Sequence, residues 1–442
     1  MIWAPEMETM PRKELQLLQL RRLQQVVQRA YERVPFTRQR LDQAGVRPEH
    51  IKTLDDLGRL PFTRKSDFRD TYPFGLLAVP ASQLARIHAS SGTTGKPTVV
   101  GYTSSDLRVW AEVCARCLAS SGAQPGDVFQ NAYGYGLFTG GLGMHYGAEL
   151  MGLVVVPVSG GNTERQIMLL QDFGAKIIAC TPSYALTLAE ALDARGIRPG
   201  SLPLRYGVLG AEPWTEAMRD EIERKLGITA VNIYGLSEVI GPGVSNECIE
   251  EQHGAHIFED HFLAEVINPH TGKAVEFGEM GELVFTTLTK EALPVIRYRT
   301  GDMASLDPAP CRCGRTFVRM SRIMGRTDDM LIIRGVNVYP TQVEAALVGV
   351  AELSPHYQLV VTRQRTLDEL DVSIETNEVF TQQLRGTFTG EEAEVQELTM
   401  RCQQKLLGVL GITARVTLVP PGKLPRSEGG KLRRVVDQRP QK

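Results

Sequence analysis

The chain has 442 residues, longer than a single hydrophobic core usually supports, so two domains are expected. Hydrophobic residues make up 42% and charged residues 23%, the proportions of an ordinary soluble globular protein. A formal net charge of -2 provides no general basic field for nucleic acid or an anionic membrane, so neither is an expected partner. Residues 1–20 lack the charged-then-apolar order of a signal peptide, and no apolar run approaches bilayer length, which makes a cytoplasmic location the expectation. Seven cysteines, an odd number spread over a long chain, do not make a disulfide framework.

In chain order, Leu20, Leu23, Val27, Ala30 and Val34 alternate by three and four. This spacing predicts a helix from Leu20 to Val34, packed on its own domain and ended by Pro35. A short helix capped by Thr63 or Ser66 follows Pro61. Helical and strand patterns then alternate: Ser105 to Ser121 helical, Leu153 to Val158 a buried strand, Thr163 to Phe173 helical, Ala175 to Cys180 strand, Ser183 to Arg195 helical, Tyr206 to Gly210 strand. Such alternation means a parallel sheet with crossover helices, and ligands in such folds bind at the carboxyl ends of strands. From Leu263 to Asp302 the texture is short strands and turns. A last segment carries strands at Asp371 to Thr376 and Ala414 to Val419, with a helix facing inward through Val395, Leu398, Cys402, Leu406 and Val409.

Ser90-Ser91-Gly92-Thr93-Thr94-Gly95-Lys96-Pro97 packs four hydroxyls, two glycines and a lysine into eight residues, a composition suited to a polyphosphate. It is not a Walker A loop: the glycine spacing is too short and Pro97 stands where the hydroxyl that meets Mg2+ should be. The stretch resembles the phosphate loop of the AMP-forming adenylating enzymes, the acyl-CoA synthetase and ligase superfamily. One position departs, because Thr98 replaces the lysine that follows the proline in that family.

Further words in the same order strengthen the resemblance. Tyr234-Gly235-Leu236-Ser237-Glu238 is similar to the family's aromatic-G-x-[ST]-E motif, which implies an aromatic ring on adenine, a hydroxyl on phosphate and Glu238 on Mg2+. Tyr298-Arg299-Thr300-Gly301-Asp302 matches the Y-R-T-G-D word, which implies that Asp302 accepts the ribose hydroxyls. Gly325-Arg326-Thr327-Asp328-Asp329 resembles the hinge motif, with Arg326 near ribose or phosphate and Asp328 as pivot, and Gly335 follows in the nucleotide set. Leu424-Pro425-Arg426-Ser427-Glu428-Gly429-Gly430-Lys431 resembles the C-terminal loop that assigns Lys431 to adenylation, with Lys423 as the alternative. The Gly210-Ala211-Glu212 turn completes the nucleotide contacts.

The stretches Asn131 to Gly143 and Ile240 to Val244 are similar to the phenylacetate-CoA ligase branch, which implies an aryl slot lined by Tyr133 and Phe138 and narrowed at Ala211, Pro242 and Gly243. The fold implied is α/β. A large N-terminal domain, residues 1–325, holds parallel and mixed sheets with crossover helices and a β-rich subdomain; a small mobile α+β domain spans 326–442. The activity implied is ATP-dependent ligation of an aryl carboxylic acid to coenzyme A through an acyl-adenylate, with Lys431, Glu238 and Arg326 as catalytic residues. Transfer to a carrier protein and a non-catalytic nucleotide-binding role are the alternatives, and a homodimer is compatible with the resemblance.

Cys248, Cys311 and Cys313 with His256 supply three thiolates and one imidazole, a set that tetrahedral zinc prefers, closed and therefore structural; His253 is the alternative nitrogen ligand. Three buried free cysteines are the competing explanation.

Overall fold

The computed structural model describes residues 1–90, 97–327, 331–334, 336–364, 367–384, 388–425 and 434–439. The first long helix runs Arg12–Arg33, a turn and more beyond the predicted start, and buries Leu15, Gln19, Leu23, Val26, Val27 and Ala30. It packs within its own domain against Leu41, Ile51, Leu57, Leu288 and Ile296. Pro35 does end it, by holding Val34 extended, and then serves as the first residue of a second helix, Pro35–Gln43. The short helix that follows is Lys65–Asp70, capped at Arg64 rather than Thr63 or Ser66. There the Asp67 carboxylate, three residues in, accepts the Arg64 N–H at 2.8 Å and so satisfies the backbone donor of the capping residue itself.

A nine-stranded sheet forms the centre of the N-terminal part. Five of its strands, Val154–Val156, Val128–Asn131, Ile177–Cys180, Tyr206–Gly210 and Thr229–Leu236, are parallel neighbours in that order. Gly241–Asn246, Ala255–Ile257, Arg319–Met320 and Leu306–Asp307 extend it antiparallel. The crossover helices include the predicted three and two more, Gly140–Met151 and Glu216–Leu226. The last of these is bounded by Thr215, whose hydroxyl accepts the Met218 N–H, and by Gly227 in the left-handed region. Val154–Val156 lies on the sheet edge, and Val154 is 55% exposed, so the strand read as buried is buried on one side only.

A second, antiparallel sheet joins Phe262–Ile267, Gly281–Thr287, Tyr298–Ala304 and Gly325–Arg326. The two strands that flank the predicted phosphate loop, Arg86–Ser90 and Thr98–Tyr102, pair antiparallel with Ser90 opposite Thr98.

The C-terminal part has its own core, in which Val343, Leu359, Val372 and Ile374 meet Leu398, Cys402 and Leu406. Its sheet orders Arg415–Val419, Leu367–Thr376, Leu353–Gln364 and Val435–Asp437. The predicted inward helix is Ala393–Leu410; Leu410 replaces Val409 on its buried face, and Val409 is 47% exposed. Gly411, in the left-handed region, turns the chain so that Ile412 and Ala414 join the core beside Leu410.

Candidate active site

The two N-terminal sheets meet at three residues from the predicted words. Tyr234 comes from the nine-stranded sheet, and Asp302 and Arg326 face each other on paired strands of the second. The Tyr234 hydroxyl donates to one Asp302 oxygen at 2.6 Å, and the Arg326 guanidinium donates to the other at 2.6 Å. Asp302 is 7% exposed, so these donors compensate the desolvation of its charge. Burial, then the adjacent Asp302 charge, pushes the Tyr234 phenol well above its ordinary pKa and keeps it a donor. Gly301 makes the approach possible: its φ is +77°, and a Cβ there would stand 3.0 Å from an Arg326 nitrogen. The carboxylate expected to take two ribose hydroxyls is thus already oriented by protein donors on both of its oxygens.

The Glu238 motif straddles the end of its strand. Tyr234, Gly235 and Leu236 are still in Thr229–Leu236, and the turn begins at Ser237. The reason lies at Gly235, where a Cβ would stand 1.9 Å from the Gly241 carbonyl oxygen, so only glycine lets the next strand pair this closely. The carbonyls of the turn and of the strand that follows are held from outside. Lys290 Nζ lies 3.4 Å from the Glu238 oxygen, the Tyr102 hydroxyl donates to Ile240 at 2.9 Å, and the Trp110 indole donates to Pro242 at 3.0 Å. Lys290 is buried over the Tyr102 ring, and burial lowers its pKa to about 8 against the opposing pull of Asp106 and Glu238. Tyr298 and Glu238 are both buried, and burial, then the nearby Glu238 charge, pushes the Tyr298 phenol well above its ordinary pKa.

Tyr133 and Phe138 are brought together: a Cβ on Gly140 would lie 2.7 Å from the Phe138 ring and 3.6 Å from the Tyr133 Cβ. The Tyr133 hydroxyl donates to the Val208 carbonyl at 3.4 Å. Gly210 ends the strand Tyr206–Gly210, and Ala211 next to it has φ +70°, a conformation a side chain rarely adopts and one that concentrates at functional sites. The Glu212 carboxylate accepts the Ser183 N–H at 2.6 Å, bridging two neighbouring carboxyl ends of the parallel strands. Pro242 and Gly243 lie on Gly241–Asn246, with the Pro242 carbonyl also accepting from the Cys114 thiol at 3.3 Å.

Ser90 is at the end of its strand, its hydroxyl buried without a hydrogen-bond partner among the described residues. Ser91, Gly92, Thr93, Thr94, Gly95, Lys96, Asp328, Gly335 and Lys431 lie outside the described residues. On either side of the Lys431 segment, Glu375 accepts the Leu424 N–H at 2.6 Å, and the Arg434 guanidinium pairs with Glu344 and donates to the Tyr357 hydroxyl at 2.9 Å. Lys423, the alternative lysine, is exposed.

The predicted metal set assembles: ligand atoms of Cys248, His256, Cys311 and Cys313 all lie within 4.8 Å of one another. Cys248 and Cys311 sulfurs are 3.6 Å apart, and Cys313 Sγ is 3.4 Å from His256 Nε2. A tetrahedron with Zn–S bonds of about 2.3 Å has edges of about 3.8 Å, so the donor set fits zinc with little adjustment. His256 Nδ1 faces the Phe317 carbonyl at 3.4 Å, which leaves Nε2 for a metal. His253 is exposed and outside the group. Contact with Cys248, and then the neighbouring His256, push the Cys313 thiol pKa far down against burial.

The description "AMP-binding enzyme" fits residues 17–288, and "AMP-binding enzyme C-terminal domain" fits 335–439. The chain therefore belongs to the AMP-binding enzyme family, and its fold is that of the adenylate-forming CoA ligases. Within that family it is 59% identical to the phenylacetate-coenzyme A ligase of Thermus thermophilus over 99% of this chain and 100% of that one. It is 52% identical to the Escherichia coli protein of the same name, over 98% and 97% of the two chains. Among solved structures it resembles 2-hydroxyisobutyryl-CoA ligase in the postadenylation state with R3-HIB-AMP, with a TM-score of 0.91 at 30% identity, covering 99% of this chain and 92% of that one. Against the same ligase with 2-HIB-AMP and CoA in the thioesterification state the TM-score is 0.72 at 32% identity, with 98% and 92% covered. Among the described residues no helix is long and apolar enough to cross a membrane.

Proposed function

We propose that this chain ligates phenylacetate, or a similarly flat aryl acid, to coenzyme A, using ATP to form an aryl-acyl adenylate and releasing AMP and pyrophosphate. The observation that carries this reading is the 59% identity to the Thermus ligase over 99% of this chain and 100% of that one. The arrangement of Tyr234, Asp302 and Arg326 supports it, because it presents a pre-oriented carboxylate where a ribose would bind. A carboxylate cannot expel oxide, so AMP is attached first to make a mixed anhydride, and the protein's part is positioning and charge neutralisation. In this reading Ser90 to Lys96 hold the phosphates, and Glu238 takes Mg2+, which neutralises phosphate charge when bound. Gly210, Ala211, Glu212 and Tyr234 frame the adenine, and Tyr133, Phe138, Pro242 and Gly243 line the aryl slot.

The same reading divides the chain at residues 325 and 326, with Asp328 as pivot and Gly335 beside the nucleotide. The closer likeness to the postadenylation state than to the thioesterification state of one ligase supports two arrangements of the C-terminal part in such enzymes. Lys431 would serve adenylation, with Lys423 next in line. Structural zinc at Cys248, His256, Cys311 and Cys313 would tie the segment after Glu238 to the segment after Asp302. A cytoplasmic location and a homodimer complete the proposal.

Aryl-acid-dependent exchange of labelled pyrophosphate into ATP tests the first half-reaction, and thioester formation with CoA tests the second, over a panel of phenylacetate, benzoate and indole acids. Phenylacetate is expected to support both. Exchange with no acid of the panel would overturn the reading, and exchange without thioester would move the acceptor to a carrier protein.

A further inference from the structure

Thr139 lies inside the Asn131 to Gly143 stretch without a role of its own there, yet it stands where three of the predicted segments meet. It is 2% exposed, and its Oγ1 lies 3.1 Å from the Ser237 hydroxyl, which is 6% exposed. Phe138 of the aryl slot precedes it, and its carbonyl accepts the Gly143 N–H at 3.2 Å in the first turn of Gly140–Met151. A Cβ on Gly241, where the narrowing wall of the slot begins, would stand 3.0 Å from the Thr139 Cβ. The bond made in adenylation joins the carboxyl end of a slot-bound acid to a phosphate beside Ser237, so it must form along this seam.

The hydroxyl pair has a direction once a phosphate is bound. A serine hydroxyl has one proton and two lone pairs; if Ser237 donates to a phosphate oxygen, it can only accept from Thr139. Thr139 can supply that proton because its neighbour in the structure is the Ser237 oxygen. A buried chain of this kind also strengthens the terminal hydrogen bond, since each donor polarises the next.

We propose that Thr139 is a positioning residue for adenylation: its hydroxyl donates to Ser237 and thereby aims the Ser237 hydroxyl at the phosphate that receives the aryl carboxylate. No proton is transferred along the pair. The proposal rests on the reading of Ser237 as a phosphate contact.

The test is a double-mutant cycle in aryl-acid-dependent pyrophosphate exchange. Thr139→Val, which keeps the shape and removes the hydroxyl, should lower kcat/KM for exchange about tenfold, the loss of one buried hydrogen bond. Thr139→Ser should restore it to within about threefold, and thioester formation from preformed adenylate should stay near native. In a Ser237→Ala background the same Thr139→Val change should cost less than about twofold, which a purely structural role would not produce. Thr139→Ala replaces the valine variant in every comparison if the latter does not fold. Native exchange in Thr139→Val, native exchange in Ser237→Ala, or penalties that multiply in full would each overturn the inference while leaving the ligase reading intact. Wild-type protein without exchange would instead remove the ligase reading, and this inference with it.

Discussion

Replacing Asp260 by asparagine should loosen the helix Ser104–Ser120, which holds one wall of the proposed aryl slot. Asp260 and Arg116 are both essentially without solvent contact, and the guanidinium donates to the two carboxylate oxygens at 2.8 and 3.0 Å. Glu112 takes the remaining side of Arg116, and His261 Nε2 lies 3.2 Å from Asp260. Burial alone would raise the Asp260 carboxyl, but His261, Arg116 and Arg22 outweigh it and bring it from 3.8 down to about 2. A shift of that size corresponds to about 2 kcal/mol of stability. Removing the carboxylate also leaves Arg116 buried with Glu112 as its remaining acid, so the full cost should be about 3–5 kcal/mol.

The sign with pH follows from the lowered pKa. Between about pH 4 and pH 2 the unfolded state binds the extra proton, so the contribution is complete above that window and is lost as pH falls through it. Melting followed by fluorescence should place Asp260→Asn several degrees below wild type at pH 7.5, with the gap narrowing towards pH 3. Because Trp110 and Cys114, on the same helix, hold the Pro242 carbonyl, KM for the aryl acid should rise more than KM for ATP. A melting point within a degree of wild type at pH 7.5, or a gap that stays constant to pH 3, would refute the reasoning.

Lys431→Ala should slow adenylation about a hundredfold, the loss of one positioned charge donor, while thioester formation from preformed adenylate stays near native; equal loss of both would move the assignment to Lys423. One zinc per chain is expected by elemental analysis of protein purified without added metal, and substoichiometric metal that does not rise on supplementation would count against the site. Asp328→Pro should impair one half-reaction more than the other, and equal impairment in a folded protein would argue against a pivot there.

The family words were legible because each is a run of adjacent residues whose local chemistry is complete in itself. Tyr298 to Asp302 and Tyr234 to Glu238 were enough to point to the family and to propose nucleotide and metal contacts. Cys311, Cys313 and two distant ligands were enough to suggest zinc, since metal preference depends on donor type. Helices with a clear periodic face were found as well, but their ends were not. The cap at Arg64 depends on where Asp67 points, and the exposed Val409 depends on which residues beyond Gly411 return to the core. Choosing His256 over His253 required the pairing that sets Arg319 opposite His256, and with it the segment of Cys311 and Cys313. Thr139 and Ser237 are 98 positions apart, and Arg116 and Asp260 are 144 apart. No periodicity or motif spans such distances, because these contacts exist only once sheet register and helix packing have brought separate elements into reach. The sequence by itself therefore determined which chemical groups the protein brings to its reaction. Tertiary structure alone decided which of them touch, because contact between distant segments is a property of the packed chain.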